Sequence, residues 1–343
     1  MNTIIANSIC AGRKQRLRRG AAAVALLTML AATLCVAMLL LGNTSYSFDT
    51  AVRVLLGEDI QGASFAIGTL RLPRMLAGLF AGFAFGIAGS TFQTLLRNPL
   101  ASPNIIGISS GSSAAAVFCI LVLHTSGTVV SVAAVVAGLA TTALIYVLSS
   151  VGSFSGGRLI LIGIGMQAML GALVSYLLLR ASSYDVPAAL RWLSGSLNGI
   201  RLSDTPALML SVALLSPVIL LLGGRLRILE LGEQSATALE VNTNSTRVAL
   251  ILSAVCLIAL ATATTGPIAF VSFLAGPIAK KLVGAGFSSE LPAGLMGAVL
   301  VLGADLLGQF AFGTRFPVGV ITGILGAPFL LFLLIRMNRT GGI

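Results

Sequence analysis

Residues 21–41 read AAAVALLTMLAATLCVAMLLL, twenty-one consecutive positions without a charge. About 20 such residues carry a helix across the hydrocarbon of a bilayer, and comparable runs recur to the far end of the chain. Ten can be delimited: 21–41, 75–95, 104–123, 129–148, 159–179, 206–222, 248–265, 267–283, 291–310 and 317–335. Only 9% of the 343 residues are charged and 57% are hydrophobic, whereas a soluble domain carries about 25% charged residues. Too little polar surface is left to cover a core of that size in water, so lipid is the solvent. The runs are long and do not alternate apolar with polar, so helices and not barrel strands must satisfy the backbone. The expected fold is an all-α polytopic membrane protein with about ten transmembrane helices. A basic segment, 1–20, precedes one membrane domain over 21–335, and a short tail, 336–343, follows it.

The net charge of +11 does not point to nucleic acid, because the basic residues punctuate the apolar runs as topology signals do. Arg13, Lys14, Arg16, Arg18 and Arg19 lead into the first run, which is long for a signal peptide and is expected to stay as an uncleaved span. With ten spans, both termini face one side. Placing them in the cytoplasm puts fourteen of the 21 Lys and Arg residues inside and seven outside. The seven outer residues are Arg53, Arg71, Arg74, Arg180, Arg191, Arg201 and Arg315. Outer loops 42–70 and 180–205 and the inner loop 223–247 are the long connections.

Glycines at 78, 82, 86 and 89 form a small-xxx-small stripe of the kind that brings helix backbones together in lipid; Gly163, Gly165 and Gly171 suggest the same. Gly266-Pro267 and Gly276-Pro277 are expected to interrupt the run between them. Broken backbone at membrane depth is tolerated only against protein or a water-filled cavity, and it is common in transporters.

Chemistry of catalysis is missing. The single histidine, His124, lies at a span end, the cysteines at 10, 35, 119 and 256 are scattered, and no metal-ligand or P-loop spacing occurs. No catalytic residue, metal site or cofactor is expected. Asp305 is the one clear carboxylate within a span, with Gln309 one turn on, and an intramembrane acid is a functional candidate by default. A helical, pore-like body without energy-coupling groups of its own points to a subunit driven by a partner.

Four stretches carry a family resemblance. The first is RLPRMLAGLFAGFAFGIAGSTFQTLLRNPLASPNIIGISSG at 71–111, and the second is RLILIGIGMQAML at 158–170. The third is RILELGEQSATALEVNTNSTR at 227–247. The last is TGPIAFVSFLAGPIAKKLVG from 265, followed by GADLLGQF and FPVGVITGILGAPFLLFLL. In order and spacing they resemble the FecCD family, the membrane permeases of ABC importers for ferric siderophores, haem and cobalamin. Ser-Leu-Asn-Gly at 196–199 looks most like ferric-siderophore permeases.

The resemblance implies a type II ABC importer permease fold in a bacterial inner membrane. It implies three kinds of protein partner, with lipid around the spans: a second FecCD-type permease, two ATP-binding subunits, and an extracytoplasmic substrate-binding protein. It implies docking of that binding protein on Arg71, Arg74 and Arg315. It implies ATPase coupling through Glu233, Ala236, Ala238 and Leu239, and an inner gate at Gly156 and Gly157. Departures from the family pattern include Glu240 where a glycine is usual, Gln309 where an arginine is usual, and Ala279-Lys280 after Gly276-Pro277. These departures favour a heterodimer with a more typical permease over a homodimer. The alternatives are a haem or cobalamin permease and, in another class, an ion-coupled secondary carrier using Asp305.

Overall fold

The computed structural model describes residues 2–150, 156–284 and 286–339. They form thirteen α-helices, and there is no strand among the described residues. α1 (Asn2–Leu40) is followed by the short α2 (Phe48–Leu55), then by a π-helical segment (Ser64–Arg71) that runs directly into α3 (Leu72–Leu95). α4 (Ile108–Leu121), α5 (Thr128–Ser149), α6 (Gly156–Arg180), the short α7 (Val186–Leu193) and α8 (Pro206–Glu230) come next. The six-residue α9 (Glu233–Ala238) precedes α10 (Thr243–Thr265), α11 (Val271–Val283), α12 (Glu290–Phe310) and α13 (Val318–Arg339).

A helix occupies each of the ten expected runs. Seven are long and apolar enough to cross a membrane unaided, α4 and the apolar part of α13 are shorter, and α11 has 13 residues. The bounds differ where local chemistry intervenes. From Asn2 onward the basic segment is already helical and continuous with the first span. The run 104–123 begins late because Pro103 opens a single 3₁₀ turn, which Ser102 caps through the Asn104 amide. α8 continues to Glu230, well into the expected inner loop, and α13 continues to Arg339 in the expected tail.

The centre of the bundle is α3, packed on α12, α10, α11 and α8. Its contact with α12 is a ladder in steps of four. Arg74, Gly78, Gly82, Gly86 and Ser90 meet, in turn, Asp305, Leu302, Gly297, Ala293 and Ser289. Rows of residues four apart on both helices interlock here, and the small residues bring backbone against backbone. A Cβ on Gly86 would lie 2.1 Å from the Ala293 carbonyl oxygen, and one on Gly82 would lie 2.5 Å from that of Gly297. Gly89 extends the contact onto α11, 1.9 Å from the Ser272 oxygen by the same measure. The expected close approach along 78–89 is thus observed. It is not observed at Gly165 and Gly171, where an added Cβ would meet nothing within 4 Å.

The two expected interruptions behave differently. At Gly266-Pro267 the helix does break, and Ser194–Ser196, from the connection between α7 and α8, fills the gap. The Ser196 amide donates to the Thr265 carbonyl at 2.7 Å, and a Cβ would lie 2.6 Å from the Pro267 oxygen at Gly195 and 2.3 Å from the Trp192 oxygen at Gly266. Gly319, at the start of α13, closes on the other side by donating to the Gly195 carbonyl. The broken backbone is therefore satisfied by protein, as membrane depth demands.

At Gly276-Pro277 the expected break is absent, and α11 runs through it. Pro277 has no N–H to offer the carbonyl of Phe273, four residues back. The buried Gln93 of α3 supplies the missing donor, Nε2 to the Phe273 oxygen at 2.9 Å. Gly276 makes room for it, since a Cβ there would meet Gln93 Oε1 at 2.1 Å. Gln93→Leu should cost about 1–3 kcal/mol by orphaning a buried carbonyl. The cost should be largely absent in a Pro277→Ala background, where the helix regains its own donor. Thermal unfolding of the four members of that cycle in detergent measures the difference.

Candidate functional site

The Arg74 end of the α3–α12 ladder holds a buried ion pair. Arg74 grips Asp305 with two parallel bonds, Nε to Oδ2 and Nη2 to Oδ1, each 2.8 Å. Asp305 is 1% exposed and Arg74 is 15% exposed. Gln309, one turn along α12, donates to Oδ2 at 2.8 Å, and Arg74 reaches Asn198 Oδ1 at 3.4 Å. Three of the sequence candidates (Arg74, Asp305 and Gln309) therefore meet in one cluster.

Four of the other arginines on this face also have partners within the chain. Arg71 donates to the carbonyls of Leu39, Leu40 and Thr44, where α1 ends, and lies 5.1 Å from the Tyr46 ring centre. Arg53 pairs with Glu58, and that hydrogen bond holds the Glu58 carboxyl below the usual carboxylate range. Arg180 stacks on Tyr176, and Arg315 donates to Asn43 from an exposed position. Arg191 and Arg201 have exposed side chains. Among these arginines, Arg53 and Arg74 are paired with carboxylates, whereas Arg71, Arg180 and Arg315 are held by neutral groups.

At the opposite end, α8 and α10 are joined through α9. Ala236 is fully buried against the chain's own helices, whereas Ala238 and Leu239 are exposed. The Glu233 side chain lies outside the described residues. α9 ends in two crossed bonds, Val241 amide to Ala236 carbonyl and Glu240 amide to Thr237 carbonyl, both 3.0 Å. This helix terminator requires a left-handed residue between them, usually glycine. Glu240 fills it at φ 58°. Arg97 does the same at the end of α3, with φ 50° and the Asn98 amide on the Gln93 carbonyl. Left-handed backbone costs a residue with a Cβ roughly 1 kcal/mol. Glu240→Gly should therefore raise stability by about that amount, read as a higher melting temperature.

Gly156 and Gly157 open α6, and Gly157 is exposed; residues 151–155 before them are outside the described set. Glu290, at the first turn of α12, was not singled out from the sequence. It is 1% exposed and accepts a bond from Ser288. Its place just before an apolar run was the available signal.

Comparison with known proteins agrees with this architecture. The chain is 36% identical over 299 residues to the ferric enterobactin transport system permease protein FepG of Escherichia coli, covering 87% of this chain and 91% of FepG. FepD of the same system is 35% identical over 311 residues, covering 88% of this chain and 92% of FepD. A solved metal-chelate type ABC transporter in an inward-facing conformation superposes with a TM-score of 0.81 at 28% identity, over 91% of this chain and 98% of that one. The model of the FecCD transport family matches residues 28–336, and the chain belongs to that family.

Proposed function

We propose that the chain is the membrane-spanning permease subunit of a binding-protein-dependent ABC importer that passes a ferric siderophore into the cytoplasm. The carrying observation is the match to ferric enterobactin permeases over nearly the whole length. The geometry supports a subunit powered from outside. Asp305, the acid an ion-coupled carrier would use, is bound by both Arg74 and Gln309. A second permease pairs with this one, as the similarity to two permeases of one system suggests, and the departures at Glu240 and Gln309 favour a different chain in that role.

In this reading the α9 end and both termini are cytoplasmic. Ala236 anchors α9 to the bundle while Ala238 and Leu239 present a short apolar edge to an ATP-binding subunit, a helix-in-groove contact. Movement of α9 would be passed directly to α8 and α10, which flank it, and Gly156-Gly157 would gate the inner mouth. On the outer face, Arg315, with the exposed Arg191 and Arg201, offers cations to acidic groups of a binding protein. Arg71 and Arg74 shape that face from within. Exposed ion pairs add only about 0–1 kcal/mol each, so their effect falls on orientation and association rate.

Uptake of radioiron as ferric enterobactin, in cells carrying this chain with its partner subunits, tests the proposal. Deletion of the chain should abolish uptake, as should inactivation of the partner ATPase or Leu239→Asp. Uptake that survives loss of the ATPase but collapses with the proton gradient would refute it.

A further inference from the structure

The arm ahead of the first span carries five basic residues in seven, Arg13, Lys14, Arg16, Arg18 and Arg19, and no acid. It is continuous α-helix with the span, so its side chains keep the faces that the span defines. One face is turned to the bundle. Gly20, Ala23, Leu27 and Ala31 are buried there, with Gly20 against the Phe287 ring and Leu27 packed with Ala275 and Met296. Arg16 and Arg19 serve this side. Arg19 donates to the carbonyls of Lys281 and Leu282 at 2.9 Å each and so caps the end of α11. Arg16 lies beside Gly286, in the turn that follows.

The opposite face is bare. Steps of four from Lys14 through Arg18, Ala22 and Leu26 to Leu30 meet only exposed residues. Only 22% of the most apolar window of α1 is buried by the chain itself. Arg18 stands about 4.5 Å along the axis from Ala21, where the apolar run begins, and Lys14 about 10 Å from it. A headgroup layer is about 5–8 Å deep on each side of the hydrocarbon. Arg18 therefore lies within that layer and Lys14 at its watery edge. Among the described residues neither has an ion-pair partner. Lys280 is paired with Glu230, but Lys281, whose carbonyl Arg19 binds, adds another exposed cation close by.

We infer that the outward face of α1, at its basic end, holds an anionic phospholipid. The phosphodiester sits at Lys14 and Arg18, and the acyl chains lie along Ala22, Leu26 and Leu30. Register selects a lipid over a soluble anion or an acidic protein. Two unpaired cations and an exposed apolar stripe continue one another on a single helix face, in the order headgroup then chain that an amphiphile presents. Basic clusters beside a span attract anionic headgroups, and long basic side chains at a helix end reach that layer. A lipid held there braces the arm whose Arg19 closes α11. The inference rests on the importer reading only for the leaflet, which is the cytoplasmic one.

Native mass spectrometry of the full-length chain in neutral detergent, with phosphatidylglycerol or phosphatidylcholine added, reads the bound lipid. Phosphatidylglycerol should bind roughly tenfold or more tightly, since each basic residue near a membrane surface is worth a factor of about five. Lys14→Gln with Arg18→Gln should remove that preference. The lipid-free melting temperature should stay that of the unmodified chain, because both side chains are exposed. Lys14→Arg with Arg18→Lys should bind as the unmodified chain does. Arg13→Gln with Arg16→Gln takes the same charge from the same arm and should keep most of the preference. Equal losses in the two glutamine pairs would overturn the inference, leaving only attraction to net charge. Competition by soluble glycerol phosphate would overturn it too, because the face would then bind an anion and not a lipid. So would displacement of the lipid when the partner permease or ATP-binding subunit is added, since protein would then own the face. No cargo enters the measurement, so its failure leaves the importer reading intact, and a failed uptake assay leaves the lipid site intact.

Discussion

Asp305→Ala should destabilise the folded chain by about 3–5 kcal/mol, because it leaves the Arg74 guanidinium half-buried without its counter-charge. Arg74→Ala should cost a similar amount from the other side, since the carboxylate it abandons is 1% exposed. Thermal unfolding of purified protein in mild detergent reads both. The informative variant is the pair together. Replacing two buried charges with apolar side chains of similar volume is often neutral or stabilising, so Arg74→Met with Asp305→Leu should recover most of the loss. The same double variant separates two mechanisms. If Asp305 serves only to hold α3 against α12, the double variant transports. A carrier that shuttled a proton or sodium ion on Asp305 would be folded and dead. Gln309 refines the prediction, as its amide donates to the same Oδ2. Asp305→Asn should still be poor, because whichever way the new amide turns, its NH2 faces at least one guanidinium N–H of Arg74.

The existence and order of the helices could be read from the sequence because each span must be apolar over its full length, and nothing else in the chain is. The helix ends were less legible where the usual marker is missing. Arg97 and Glu240 take left-handed backbone that glycine normally marks, so the terminators at α3 and α9 carry no glycine to announce them. Pairing across the fold was harder still. Arg74 and Asp305 are 231 positions apart, and each was read for a separate role, one for docking and the other for ion coupling. A signal was nonetheless present. Arg74, Gly78, Gly82 and Gly86 step by four on α3, and Ala293, Gly297, Val301 and Asp305 step by four on α12. Two small-residue stripes of one period, each with an opposite charge at the same end, describe a contact. The proline at 277 misled for the converse reason. Its cost is met by Gln93, a residue 184 positions earlier that no local pattern connects to it.

Two glycines on α12 make the strongest test of this packing, because they share a helix and differ only in what lies opposite. Alanine is favoured over glycine in a helix interior by about 1 kcal/mol, and that gain applies to both Gly297 and Gly303. At Gly303 an added methyl meets nothing within 4 Å, so Gly303→Ala should stabilise the protein by up to about that amount. At Gly297 the same methyl would sit 2.1 Å from the carbonyl oxygen of Gly82 and 2.9 Å from the Cα of Gly86. Both are backbone atoms of α3, so no rotamer change relieves the overlap and the helices must separate. Separation loosens every rung of the ladder, including the approach of Arg74 to Asp305, whose bonds are already at 2.8 Å. Overpacking costs about 1–3 kcal/mol where side chains can yield; here the expected loss is at the upper end of that range or beyond it. The two substitutions should move the melting temperature in opposite directions. If Gly297→Ala proved as harmless as Gly303→Ala, α3 and α12 would not meet backbone to backbone, and the buried ion pair at the end of their contact would need a different support.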